Sequence, residues 1–135
     1  MLNKRHLLAG FALALATAPF MAAVAPVAAL DKTPFDAKAF EDAQAAGKPI
    51  LVEVTAPWCP TCKAQAPILA RLSGTPKFKD MVRFNIDFDT QKDLLRQFNV
   101  RVQSTMIAFK GKQEVGRSSG DTNPDSIERL LEKLI

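Results

Sequence analysis

ILVEVTAPWCPTCK, residues 50–63, joins an apolar run to two cysteines that are separated by two residues. The run Ile50–Val54 is typical of a strand that is covered on both faces. A turn and then a helix would bring the sulfurs of Cys59 and Cys62 to the first helical turn, where free N–H groups and the helix dipole favour a thiolate. The order of strand, C-x-x-C and helix therefore predicts redox chemistry.

The chain on either side of this stretch predicts further helices and strands. The expected strands are 50–55, 82–87, 105–110 and 113–118, and the expected helices are 37–46, 59–72, one capped by Asp89 or Thr90 that ends near Phe98, and one that starts near Asn123. Residues 31–35 are expected to form a short extended entry, and Pro67 is expected to kink the second helix. This order predicts an α/β domain in which a central mixed sheet is flanked by helices.

The first 29 residues have the pattern of a secretory signal peptide. Lys4 and Arg5 precede an apolar stretch from Leu7 to Val24, and small residues up to Ala29 offer a cleavage site. Cleavage after Ala29 leaves a domain of residues 30–135. We therefore expect the mature protein to be periplasmic or secreted.

An uncleaved membrane anchor is the alternative interpretation of this segment. Its apolar stretch is nearly long enough to span a bilayer. Pro19, Pro26 and the many alanines make it a poor permanent span, however, which favours cleavage.

The charge of the mature chain argues against nucleic acid as a partner. Without Lys4 and Arg5, the 18 basic residues fall to 16, against 14 acidic residues, and the basic residues form no run. A surface that follows phosphate backbones carries clustered Lys and Arg side chains. We therefore expect no nucleic-acid binding.

The two cysteines of the chain fit a reversible couple better than a structural crosslink. Export would permit a permanent disulfide. A bridge between Cys59 and Cys62 closes a very short loop, however, and removes little entropy from the unfolded chain. An inert bridge remains the alternative.

The chain resembles the thioredoxin family over nearly all of residues 36–135. The matching segments are Trp58–Lys63, Ala66–Leu69, Arg83–Asp87, Phe98–Arg101 and Thr105–Lys110. The resemblance implies the thioredoxin fold, exchange with protein disulfide substrates, no cofactor beyond the Cys59–Cys62 disulfide, and a monomer. An exported reductant would also need a membrane-bound electron donor.

Two positions depart from the family pattern. Glu53 stands where the family has a buried aspartate beneath the disulfide, and Ser104 stands where it has a cis-proline. A cis bond before a residue other than proline costs about 2.5–4 kcal/mol, so the Gln103–Ser104 bond is expected to be trans or visibly strained. Because this loop helps to hold a substrate chain in the family, the change bears on substrate specificity.

The resemblance makes Cys59 the exposed nucleophile. Its thiolate would attack a partner's disulfide, and Cys62 would resolve the mixed disulfide. Pro60 and Thr61 would tune the couple by shaping the start of the helix. They lack the histidine that strongly oxidising relatives carry between the cysteines, so the pKa of Cys59 is expected nearer to about 7, as in thioredoxin, than to about 3.5. This comparison favours a reductant.

Four further residues are candidates for supporting roles. Glu53 would relay a proton to or from Cys62, or else is a partly solvated acid paired with a lysine. Trp58 would shield the disulfide and offer an apolar surface to partners, or else simply packs. Ser104 would donate a hydrogen bond to a sulfur, or else is an ordinary loop residue, and Thr105 begins the strand that faces the active site.

A metal-binding or metal-delivery module is the alternative function. As thiolates, Cys59 and Cys62 would capture copper, zinc or an iron–sulfur cluster between two copies of the chain. A closed zinc site within one chain is hard to build, because the sole histidine, His6, lies in the signal segment. The missing cis-proline, which shields the sulfurs in the family, keeps this alternative open.

Overall fold

Five strands and four helices make up the part of the chain that the computed structural model describes, residues 32–135. In chain order they are β1 (Thr33–Pro34), α1 (Ala37–Ala45), β2 (Pro49–Thr55), α2 (Pro60–Ser73), β3 (Val82–Asp87), α3 (Lys92–Gln97), β4 (Thr105–Lys110), β5 (Gln113–Ser119) and α4 (Pro124–Glu132), with a 3₁₀ turn at Pro76–Phe78. The predicted signal peptide and its cleavage site lie outside the described residues. Within residues 32–135, no helix has the length and apolarity needed to cross a membrane.

The strands form one mixed sheet in the order β1-β3-β2-β4-β5. β3 runs parallel to β1 and β2, whereas β4 runs antiparallel to β2 and β5. The central strand, β2, is buried from Ile50 to Val54, as the sequence predicted. The expected entry segment joins the sheet, because Thr33 and Pro34 pair with Phe84 and Asn85. The predicted α/β architecture is confirmed.

The two faces of the sheet carry separate apolar layers. α1 and α3 cover one face, where the Phe40 ring contacts Phe84, Phe98 and Phe109 edge-on at centroid distances of 5.8, 5.5 and 5.4 Å. α2 and α4 cover the other face with aliphatic side chains. The buried members from these two helices are Leu69, Leu72, Ile127, Leu130 and Leu131.

The start of α3 differs from the sequence prediction. The helix begins at Lys92 after Gln91, and not after Asp89 or Thr90. The reason is local, since one carboxylate oxygen of Asp87 accepts the N–H groups of both Asp89 and Thr90, at 2.8 and 2.9 Å. These bonds form a turn that delays the helix.

Candidate active site

The two cysteines lie at the N-terminus of α2. Cys59 is the N-cap residue, with an extended backbone, and Pro60 is the first residue of the helix. The Cys59 Sγ accepts a hydrogen bond from the N–H of Cys62 at 3.1 Å. The two residues form a disulfide with a Cα–Cα distance of 5.3 Å. The predicted placement of both sulfurs at the first helical turn is confirmed.

The exposure of the sulfurs corrects one prediction. Cys59 has 0% exposed surface in this disulfide form, and Cys62 has 8%, so Cys59 is not the exposed cysteine here. The cause is packing, because the Cys59 side chain turns back towards the N–H of Cys62 and clusters with Ala56, beside Phe88. Attack at Cys59 therefore requires the atoms that cover it to move.

A groove of about 380 Å³ with a mixed polar and apolar lining reaches the disulfide from the side of Cys62. Its lining residues are Lys32, Thr55, Ala56, Pro57, Cys62, Lys63, Ala66, Asn85 and Asp87. The Thr55 hydroxyl donates to the Asn85 side-chain oxygen at 2.7 Å. Hydrogen bonds from Thr90, foremost its N–H, and from the N–H of Asp89 lower the pKa of Asp87 from its ordinary value. These hydrogen bonds therefore favour the ionised form of the Asp87 carboxylate in the groove.

The Trp58 side chain packs against Phe88 and Asp89 on one side and is exposed to solvent on the other. Its indole N–H donates to an Asp89 carboxylate oxygen at 2.9 Å, and its ring meets Phe88 edge-on with centroids 6.4 Å apart. More than half of the side chain, 55%, is nevertheless exposed. Trp58 thus offers an apolar surface directly before the first cysteine.

Glu53 has a different partner from the one expected. Its carboxylate is buried and accepts two hydrogen bonds from one edge of the Arg83 guanidinium, at 2.9 Å from Nε and 3.1 Å from Nη2. Arg83 also donates to the Ser73 hydroxyl at 3.3 Å. The interpretation as a partly solvated acid paired with a lysine is wrong. The parallel register pairs Arg83 with Leu51, and this places the guanidinium on the same sheet face as Glu53, two residues along.

The peptide bond between Gln103 and Ser104 is trans, as the sequence predicted. Residues 32–135 contain no cis peptide bond, and Ser104 has a φ of +57°. Its N–H donates to the Val54 carbonyl at 2.7 Å, and its carbonyl accepts the Gly120 N–H at 3.0 Å. The predicted trans bond is confirmed. The hydroxyl, however, donates to the Gln103 carbonyl at 2.5 Å, in place of the predicted bond to a sulfur.

Thr105 closes the loop that precedes β4. Its hydroxyl donates to the Val102 carbonyl at 2.8 Å and lies 2.8 Å from the Ser119 hydroxyl. The loop is therefore tied both to itself and to β5.

The sequence prediction missed Gln65. This side chain is buried in α2, and its amide donates to the carbonyls of Ser104 and Asp121, at 3.2 and 2.8 Å. A sequence signal for it exists, since Gln65 lies four residues before Leu69 on the buried face of the helix. A polar residue on such a face needs buried partners.

Comparison with known proteins decides the family. A sequence profile described as Thioredoxin matches residues 28–133. The chain belongs to the thioredoxin family. Thioredoxin Asp f 29 from Aspergillus fumigatus is 35% identical over 97 residues, which are 71% of this chain and 87% of that protein. Thioredoxin from Mycobacterium bovis is 33% identical over 100 residues, which are 74% of this chain and 85% of that protein.

Solved structures agree with this assignment. Trxlp from Edwardsiella tarda EIB202 superposes with a TM-score of 0.71 at 46% identity, over 73% of this chain and 95% of that one. Thioredoxin NaTrxh from Nicotiana alata superposes with a TM-score of 0.63 at 29% identity, over 71% and 81%.

Membership of the thioredoxin family gives the site its chemistry. The chain is a protein thiol–disulfide oxidoreductase whose C-x-x-C disulfide joins Cys59 to Cys62. Within residues 32–135, no three His, Cys, Asp or Glu side chains are grouped so that they could hold a metal ion.

Proposed function

We propose that this member of the thioredoxin family is an exported reductant of protein disulfides. The observation that carries the proposal is the N-cap position of Cys59, whose sulfur already accepts the N–H of Cys62 at 3.1 Å. A helix N-terminus favours the thiolate over the thiol. The residues between the cysteines, Pro60 and Thr61, add no positive charge, which supports a mild couple and not a strong oxidant.

The reaction starts from the reduced dithiol. The Cys59 thiolate attacks one sulfur of a partner's disulfide, which forms a mixed disulfide and releases the partner's other sulfur as a thiolate. The Cys62 thiolate then attacks the Cys59 sulfur, which closes the Cys59–Cys62 disulfide and releases the partner's second thiolate. Two electrons pass to the partner. A dithiol donor must then reduce the disulfide again, and we propose a membrane-bound one.

Glu53 is the proposed proton relay for this exchange. Cys62 must lose a proton before it attacks the mixed disulfide, and an acid–base group on the sheet face beneath α2 is suited to take it. The Arg83 guanidinium fixes the orientation of the Glu53 carboxylate through two hydrogen bonds. The relay therefore rests on a positioned side chain and not on a freely solvated one.

Export is proposed from the sequence of the first 29 residues. Lys4, Arg5, the apolar stretch and the small residues before Leu30 support a cleaved signal peptide and a periplasmic or secreted protein. Expression of the full chain in a bacterium, followed by fractionation and mass spectrometry, tests this proposal. We expect a mature N-terminus at Leu30 in the periplasmic fraction, whereas a full-length chain in the membrane fraction would support the uncleaved anchor.

An insulin reduction assay tests the catalytic proposal. With dithiothreitol as donor, the purified protein should accelerate insulin reduction, and Cys59→Ser should abolish the acceleration because the attacking sulfur is lost. The reduced Cys62→Ser variant, mixed with insulin after the dithiothreitol has been removed, should instead accumulate a mixed disulfide that non-reducing electrophoresis detects. Full activity of the Cys59→Ser variant would contradict the assignment of Cys59 as the nucleophile.

A further inference from the structure

We propose that Gln65 is a positioning residue that fixes the loop of residues 101–104 for protein substrates. The proposal rests on the proposed function, because it concerns how a protein disulfide is held at that site. Gln65 lies in α2, three residues after Cys62, so one helical turn separates it from the disulfide. It is 3% exposed.

The Gln65 amide joins three parts of the molecule. Its Nε2 donates to the Ser104 carbonyl at 3.2 Å and to the Asp121 carbonyl at 2.8 Å. The first carbonyl precedes β4, and the second follows β5. Both N–H bonds of this buried amide are therefore used to tie the active-site helix to two loops.

The loop needs such a tie because its backbone is strained at Ser104. A φ of +57° is unfavourable for a residue with a Cβ, and it persists only where the surroundings hold it. Three groups hold Ser104, namely the Val54 carbonyl, the Gly120 N–H and the Gln65 amide. Of these, only Gln65 reaches the loop with a side chain from the helix that carries the disulfide.

The loop presents an apolar surface next to this anchor. Val102 is 48% exposed, whereas Ser104 and Thr105 are buried. Trp58, beside Cys59, is 55% exposed. Exposed apolar side chains such as Trp58, next to Cys59, and Val102, two residues before Ser104, suit a polypeptide substrate, because they gain from burial when the chain docks. Gln65 thus sets the position of one of these two surfaces relative to the sulfurs.

The variant Gln65→Met removes both amide donors and keeps an unbranched side chain of similar length. We expect KM for insulin to rise about tenfold, because the loop loses its tie to α2 and must be ordered when the substrate binds, with kcat within about twofold of wild type. The rate with a small aromatic disulfide, 5,5′-dithiobis(2-nitrobenzoate), should stay within about twofold because it makes no use of the loop. A general loss of structure would lower both rates together.

Two further variants complete the test. Gln65→Asn keeps the amide but is one methylene too short to reach both carbonyls, so it should also raise KM for insulin selectively. Thr75→Val is the matched control, because it removes a hydroxyl bond to the Leu72 carbonyl beyond the other end of α2 and should leave KM unchanged. Unchanged KM for insulin in both Gln65 variants, or an equal loss towards both substrates, would overturn the proposal. Inactive wild-type protein would instead count against the proposed function.

Discussion

The two faces of the sheet differ in where they bury polar groups. Neither α1 nor α3 contributes a buried polar side chain among the described residues, and the buried hydroxyl on their sheet face is that of Thr105, at the start of β4. Under α2 and α4 the layer includes the Glu53–Arg83 pair, Ser73 and Gln65. The disulfide lies at the start of α2, so these four residues share the face that carries the chemistry.

This difference separates the apolar contacts that stabilise the domain from the polar groups that position the active site. Apolar burial supplies most of the folding free energy without direction. A buried ion pair is weak evidence for stability, because the loss of hydration offsets its attraction. The polar groups beneath α2 are therefore better explained by a role in positioning the helix that carries the disulfide than by stability.

The largest effect is expected on the apolar face. Phe40→Ala removes a ring that contacts four other phenylalanines and leaves a cavity, so it should destabilise the domain by about 3–5 kcal/mol. Urea unfolding measures the loss. Insulin reduction by the fraction that remains folded should match wild type, and a selective change of KM would contradict the division between the faces.

A similar loss of stability is expected when the buried ion pair is broken, but here a second substitution should restore stability. Arg83→Met leaves the buried Glu53 carboxylate without this guanidinium and should cost about 3–5 kcal/mol. The double variant Glu53→Leu with Arg83→Met should recover most of that loss, because no uncompensated charge remains. A double-mutant cycle by urea unfolding checks the coupling.

The double variant also tests the relay. If Glu53 moves the proton of Cys62, the pH profile of insulin reduction should change in the double variant although its stability is restored. An unchanged profile would contradict the relay and leave the pair with a structural role.

A smaller effect is expected at the loop. Ser104→Gly removes the Cβ that disfavours a φ of +57°, but it also gives the unfolded chain more freedom. We expect stability to rise by at most about 1 kcal/mol. Thermal unfolding measures it, and a destabilisation larger than about 1 kcal/mol would show that the Ser104 hydroxyl matters more than the backbone strain.

The sequence predicted the features that depend on local pattern. The two sulfurs at the first turn of α2, the buried strand from Ile50 and the strand at 105–110 follow from residue type and spacing over a few positions. The helix of residues 124–132, with Asn123 as its cap, is of the same kind.

The features that were missed depend on contacts between distant parts of the chain. Arg83 reaches Glu53 only because of the parallel register of β2 and β3, and Gln65 meets Ser104 across 39 positions. The burial of Cys59 likewise depends on how the folded chain packs around it. The local sequence pattern does not specify which residues of two strands lie side by side, so these contacts could be seen only in the structure.

The reduction potential of the Cys59–Cys62 couple tests the central claim most directly. Equilibration of the protein in dithiothreitol and glutathione buffers, followed by the fluorescence of its single tryptophan, Trp58, gives this value. A reductant of protein disulfides should have a potential near that of thioredoxin, about −270 mV. A potential near about −120 mV would contradict this account, because such a couple oxidises its partners.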